Sequence, residues 1–159
     1  MEEILVTEDG YNQFMELLNS IEKKISDTDT DSTEACEAAT GDGWHDNFSF
    51  EALVEDSRKL NYQLKKMYND KTKLRIISDK YVERVININD TATIKFIYDN
   101  DYDIDEITLT GLYIPNDNQT SLNSPLGKAI YKQKISSILE YKVNNNIIKI
   151  EILDIKNTQ

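Results

Sequence analysis

Residues 41–48, Gly-Asp-Gly-Trp-His-Asp-Asn-Phe, gather two carboxylates with the sole histidine and the sole tryptophan of a 159-residue chain. Asp42 and Asp46 offer hard oxygen ligands of the kind magnesium takes, and His45 beside them adds a further ligand or a proton carrier. Two carboxylates are too few to fill a magnesium shell, so the remaining ligands have to come from a partner. A structural reading uses the same residues differently: Trp44 and Phe48 plug the end of a hairpin, while Asp46 and Asn47 cap the helix that follows. A second acidic cluster, Asp99-Asn100-Asp101-Tyr102-Asp103, lacks the glycine and the closing glutamate of a calcium loop and reads as a strand connection. With one cysteine, Cys36, and one histidine, the chain can form neither an intramolecular disulfide nor a structural Cys/His zinc site. Cys36 beside Ala35 reads as a small, half-buried residue.

The elements that must carry the 41–48 stretch are legible from periodicity. Small or apolar residues at Phe14, Leu18, Ile21, Ile25, Thr28, Ser32, Ala35 and Ala39 alternate by fours and threes, which predicts a helix over about 8–40. Thr7 is its N-cap, and Glu8 with Asp9 sit favourably against the start of the helix dipole. Gly41 and Gly43 end it. Phe50, Leu53, Ser57, Leu60, Leu64, Met67, Lys71 and Leu74 repeat the alternation, predicting a second helix over about 48–75 in which only Lys71 is awkward. Matching the first series against the reversed second gives residue-number sums of 88 or 89 at every layer, the arithmetic of an antiparallel coiled-coil hairpin. Its layers run from large apolar residues through Ser32 and Ser57 to alanines, so packing should be densest far from the turn. Thirty helical residues extend roughly 45 Å, a reach that a core of this size does not need.

Beyond about residue 81 the period falls to two. Thr91–Tyr98, Ile104–Ile114, Ile138–Val143 and Ile147–Ile155 read as strands, with Asn144-Asn145-Asn146 as a hairpin turn. Ser124 and Pro125 begin a short helix through Ile130. The whole is therefore α+β: a helical hairpin over 1–76 with its tip at 41–48, then an antiparallel-sheet domain with a short helix over 77–159.

Charge narrows the classes of function. The net charge is -11, and residues 26–56 hold ten carboxylates with no lysine or arginine, so independent binding to DNA or RNA is not expected. No apolar window is long enough to span a bilayer, and Met1-Glu2-Glu3 has none of the basic and apolar regions of a secretory signal. The sequence reads as cytoplasmic, without membrane attachment.

The chain resembles the Gre transcription elongation factors of bacteria, the transcript-cleavage factors of RNA polymerase. The likeness begins at Leu5-Val6-Thr7-Glu8-Asp9-Gly10-Tyr11 and passes through the acidic tip. It continues at Ile107-Thr108-Leu109-Thr110-Gly111, at Leu122-Asn123-Ser124-Pro125-Leu126-Gly127-Lys128-Ala129-Ile130 and at Ile150-Glu151-Ile152-Leu153-Asp154-Ile155. The resemblance implies an FKBP-like fold for the C-terminal module. It further implies that the module docks on RNA polymerase through Asn123, Ser124, Pro125 and Leu126, and that the coiled coil passes into the secondary channel. There Asp42, Asp46 and Asn47 correspond to tip residues that act on the active-centre magnesium, an ion shared with the polymerase and not held by the isolated protein. The nascent RNA 3′ end would be met only within that complex, and the chain would be an accessory factor, with the polymerase as the catalyst. The tip departs from the family's Gly-Asp-Leu-Ser-Glu-Asn by one extra residue between the acids, by aspartate in place of glutamate, and by Trp44 and His45. A Gre-like paralogue that inhibits the polymerase without cleavage is the first alternative, and an unrelated coiled-coil adaptor the second. A prolyl isomerase fits poorly, because the tryptophan lies on the hairpin.

Overall fold

The computed structural model describes residues 2–38, 48–78 and 80–157. It is mixed α+β, in the order β1 (Ile4–Val6), α1 (Glu8–Ala38), α2 (Phe48–Lys73), β2 (Leu74–Ile76), β3 (Thr91–Ile97), β4 (Tyr102–Thr110), β5 (Gln119–Ser121), α3 (Pro125–Ile130), β6 (Ile138–Val143) and β7 (Asn146–Lys156). Contacts divide the chain into two units, one of Phe14–Lys73 and one of Met1–Gln13 with Leu74–Gln159. This division differs from a linear boundary at 76/77 because β1 pairs in parallel with β2, Ile4 opposite Leu74 and Val6 opposite Ile76, tying the first residues to the C-terminal half. The same pairing shortens the second helix. Leu74 and Arg75, expected to continue it, are drawn with Ile76 into β2, and Leu74 is buried there.

Within the helical unit, α1 has 31 residues and α2 has 26. Thr7 caps α1: its hydroxyl accepts from the Gly10 amide at 3.3 Å and its carbonyl from the Tyr11 amide at 2.9 Å. Phe14, Leu18 and Ile21 of α1 and Met67 of α2 are buried. Farther along, Ile25, Thr28, Leu53, Ser57, Leu60 and Leu64 are only half-buried, and Lys71 is exposed. The Tyr68 hydroxyl donates to the Glu22 carboxylate. Thr28 and Leu60 line one groove of about 380 Å³ with Lys24 and Lys59. From Glu22 to Thr28 the number rises on α1 while from Tyr68 to Leu60 it falls on α2, so the two helices run in opposite directions over this stretch. Lys59 reaches Glu55 at 2.8 Å and Asp56 at 3.6 Å, exposed pairs that add little to stability.

In the other unit the five-stranded sheet has the order β5-β4-β3-β7-β6, antiparallel except for β4 with β5. The central strand β3 alternates strictly: Ala92, Ile94 and Phe96 face the core, joined there by Leu109, Ile150 and Ile152. Leu122, Ile130 of α3 and Ile86 of the 77–90 segment complete this core. Three short strands, β1, β2 and β5, were not expected from the alternation. The remaining strands fall within a few residues of expectation, and the hairpin turn has Asn144 at φ 54°, a backbone region that asparagine tolerates. Of the Asp99–Asp103 segment, only Asp99–Asp101 lie in the tight connection between β3 and β4, closed by the Tyr98 amide on the Asp101 carbonyl at 2.9 Å, while Tyr102 and Asp103 already pair in β4 with Ile97 and Phe96.

Candidate functional site

Asp42, Trp44, His45, Asp46 and Asn47 lie outside the described residues. The second group singled out from sequence, Asn123 to Leu126, is described in full. Asn123 turns its side chain inward onto β1: Oδ1 accepts from the Leu5 amide at 2.8 Å and Nδ2 donates to the Leu5 carbonyl at 2.7 Å. A side-chain amide thus supplies both hydrogen bonds that a neighbouring strand would otherwise make. Ser124 is the N-cap of α3, its Oγ accepting from the Gly127 amide at 2.9 Å and lying 2.8 Å from the Thr120 hydroxyl. Pro125 opens the helix and is exposed, whereas Leu126 is half-buried against the core. Of the four, Pro125 alone is exposed. Lys128, one turn on, pairs with Glu2, and that hydrogen bond together with the lysine charge holds the Glu2 carboxyl below its ordinary range.

Leu126 also borders a groove of about 460 Å³ whose wall is β4, with Asp105, Glu106 and Ile107. Along β4 the core-facing side changes character: Leu109 is buried, Ile107 half-buried, and Asp105 and Asp103 are exposed. The groove beside α3 is therefore apolar at its inner end and acidic at its outer end. Glu106 is paired with Lys156, whose hydrogen bond to that carboxylate pushes the lysine pKa up.

The stretches that carry the family resemblance converge here. The Thr7 amide donates to the Gly111 carbonyl at 3.0 Å, and a Cβ on Gly10 would lie 2.1 Å from that same oxygen. A Cβ on Gly127 would lie 2.0 Å from the Ser121 carbonyl oxygen. Both glycines are required by close backbone approach, since a Cβ at either position would displace main chain. Residues 5–11, 107–111 and 122–130 are thus neighbours in space that knit β1 and the first turn of α1 to the sheet.

Sequence reasoning passed over a buried polar knot on the 77–90 segment. Asn87 Nδ2 donates to the Asp90 carboxylate at 2.9 Å and to the carbonyls of Val82 and Val85 at 3.0 and 2.9 Å. Its Oδ1 accepts from Lys132 Nζ at 2.7 Å and from the Val82 amide at 2.9 Å. Asn87 and Asp90 are nearly inaccessible to solvent, so their polar groups are matched inside the protein. The Asn-x-x-Asp spacing was the available signal, while the lysine 45 residues away was not legible. Among the described residues no group of three or more His, Cys, Asp or Glu side chains could hold a metal ion.

Residues 80–157 match the family described as transcription elongation factor, GreA/GreB, C-terminal. Over 157 residues the chain is 24% identical to transcription elongation factor GreA of Clostridioides difficile (strain 630), an alignment covering 97% of this chain and 96% of that protein. Similar solved structures include Thermus aquaticus Gfh1, with 14% identity, coverage of 99% of this chain and 100% of that chain, and a TM-score of 0.47. GreA/GreB from Nitrosomonas europaea aligns with 11% identity over 99% of this chain and 100% of that chain, at a TM-score of 0.38.

Proposed function

The chain belongs to the Gre family of transcription elongation factors, and from that premise we propose that it binds bacterial RNA polymerase at the secondary channel and acts there on elongation as an accessory factor. In this reading the C-terminal module is FKBP-like and docks by Pro125 and Leu126, with Asn123 and Ser124 holding that loop in shape. The two long helices form a coiled-coil hairpin that carries residues 41–48 into the channel. The observation that carries the reading is the family match over 80–157, preceded by helices of 31 and 26 residues with an acidic stretch of sequence between them. Such a factor works in the cytoplasm, where its partner is.

At the tip, Asp42 and Asp46 supply hard carboxylate oxygens that suit magnesium and leave most of its shell to water and the polymerase. Asp42 and Asp46 would help hold such an ion, which would supply positive charge against the RNA phosphate. The part of this chain is to deliver two carboxylates and, through His45, a group that exchanges protons near neutral pH. The chain is acidic throughout 26–56, so it would contact the RNA 3′ end only while the polymerase holds it.

The tip supports a second reading. An extra residue between the acids and the shorter Asp46 both alter how far the carboxylates reach, which favours a paralogue that occupies the channel and inhibits without cleavage. Adding the protein to stalled, backtracked elongation complexes separates the two. Under the first reading the wild-type chain shortens the transcript, and Asp42→Ala and Asp46→Ala each lose most of that activity. Equal shortening by wild type and both variants would refute the metal-donating role. Displacement of an authentic Gre factor without any shortening would establish the second reading.

A further inference from the structure

The sheet ends in two unlike edges. β5 is three residues long, whereas β6 offers six, with β7 as its only strand partner among the described residues. Just before β6 the Ile152 amide donates to the Ser137 carbonyl at 3.0 Å while the Ile152 carbonyl accepts from the Ser136 amide at 2.7 Å, which turns the Ser137 carbonyl toward β7 and sets the phase of the strand that follows. By alternation, Leu139, Tyr141 and Val143 turn their peptide groups toward β7, and Ile138, Glu140 and Lys142 turn theirs outward. No proline interrupts the strand, and its pairing with β7 runs without a register shift. On the face away from the core, Ile138 and Ile147 are 59% and 71% exposed beside this edge.

The sequence along β6, Ile-Leu-Glu-Tyr-Lys-Val, complements itself when reversed. We propose that β6 is a homodimer edge, on which a second copy of this chain adds its own β6 in antiparallel register about a two-fold axis at Tyr141. In that register Glu140 of each protomer faces Lys142 of the other, and Leu139 of each faces Val143 of the other. Backbone geometry permits only registers that set outward-turned residues against one another. The neighbouring permitted registers would place Glu140 against Glu140 or Lys142 against Lys142, so charge selects the one centred on Tyr141. The acidity of the chain does not oppose the contact locally, since residues 138–151 hold two acids and two lysines. The product is one continuous sheet of ten strands, and it does not depend on any role at the polymerase.

Sedimentation equilibrium of the full chain tests this. Wild type is expected to pass with concentration from the 18.4 kDa monomer to twice that mass. Glu140→Lys and Lys142→Glu each place like charges opposite one another twice, so each weakens dimerisation roughly tenfold or more. Both positions are exposed, and circular dichroism should show each variant folded as wild type. The double variant Glu140→Lys/Lys142→Glu regains the wild-type constant, and an equimolar mixture of the two single variants forms a heterodimer. A wild type that stays monomeric up to about 100 μM overturns the proposal. So do single variants that dimerise like wild type, or a double variant and a mixture that both stay monomeric.

Discussion

Asn123 bonds both main-chain groups of Leu5, 118 residues earlier in the chain, so one side chain closes the seam between β1 and the start of α3. Asn123→Ala leaves a half-buried amide and carbonyl without those partners and should cost about 1–3 kcal/mol, read as a lower urea midpoint with unchanged slope. A variant as stable as wild type would mean that Leu5 finds equivalent bonds elsewhere. Glu2 and Lys128 fasten the same seam from outside. The folded pKa of Glu2 lies below its ordinary 4.5, so its contribution is present above that value and disappears as pH falls through the lowered folded pKa. Lys128→Gln should flatten that part of the acid-side loss of stability, measured as unfolding midpoints on either side of 4.5. Identical pH profiles for wild type and variant would remove the pair from the account. Little of this was legible in advance. Ser124-Pro125 announces a helix start by its own chemistry, but the target of the Asn123 amide is set by a strand more than a hundred residues away.

In α1 and α2 the burial of the apolar stripe grades along its length. Leu18 is 2% exposed, while Leu60 is only half-buried. Leu18→Ala should therefore cost about 2–4 kcal/mol and Leu60→Ala roughly half as much, each by chemical denaturation monitored by helix content. Equal costs would contradict the gradient. The same two helices were the most legible part of the chain, because a four-three alternation sustained over many residues has few other solutions. β3, β6 and β7 were legible for a similar reason, a clean period of two. β1, β2 and β5 were not, because three residues cannot display a period. The misplaced end of α2 follows from this: Leu74 satisfies the helical stripe and the strand equally, and only the presence of β1 decides between them. The carboxylate-rich stretch 41–48 was singled out from residue types alone, and all of it but Phe48 lies outside the described residues.

Over the whole chain, chemistry is sorted by sequence position. Ten acids occupy 26–56, and the C-terminal module carries the residues assigned here to docking. Docking can be tested at Pro125 without disturbing the seam, since Asn123 and Ser124 are committed to internal bonds and Pro125 is exposed. Pro125→Glu should retain the wild-type unfolding midpoint and lose at least roughly tenfold in competition with an authentic Gre factor for the polymerase. Unimpaired competition would move the docking surface away from α3. The parallel pairing of β1 with β2 has a further use. Val6 and Leu74 are two residues apart along the ladder and one strand apart across it, a gap of roughly 8 Å. The chain therefore departs and comes back through one doorway, and the helical excursion between can be exchanged for an arm of another length or chemistry. The sheet would serve as a socket for grafted probes.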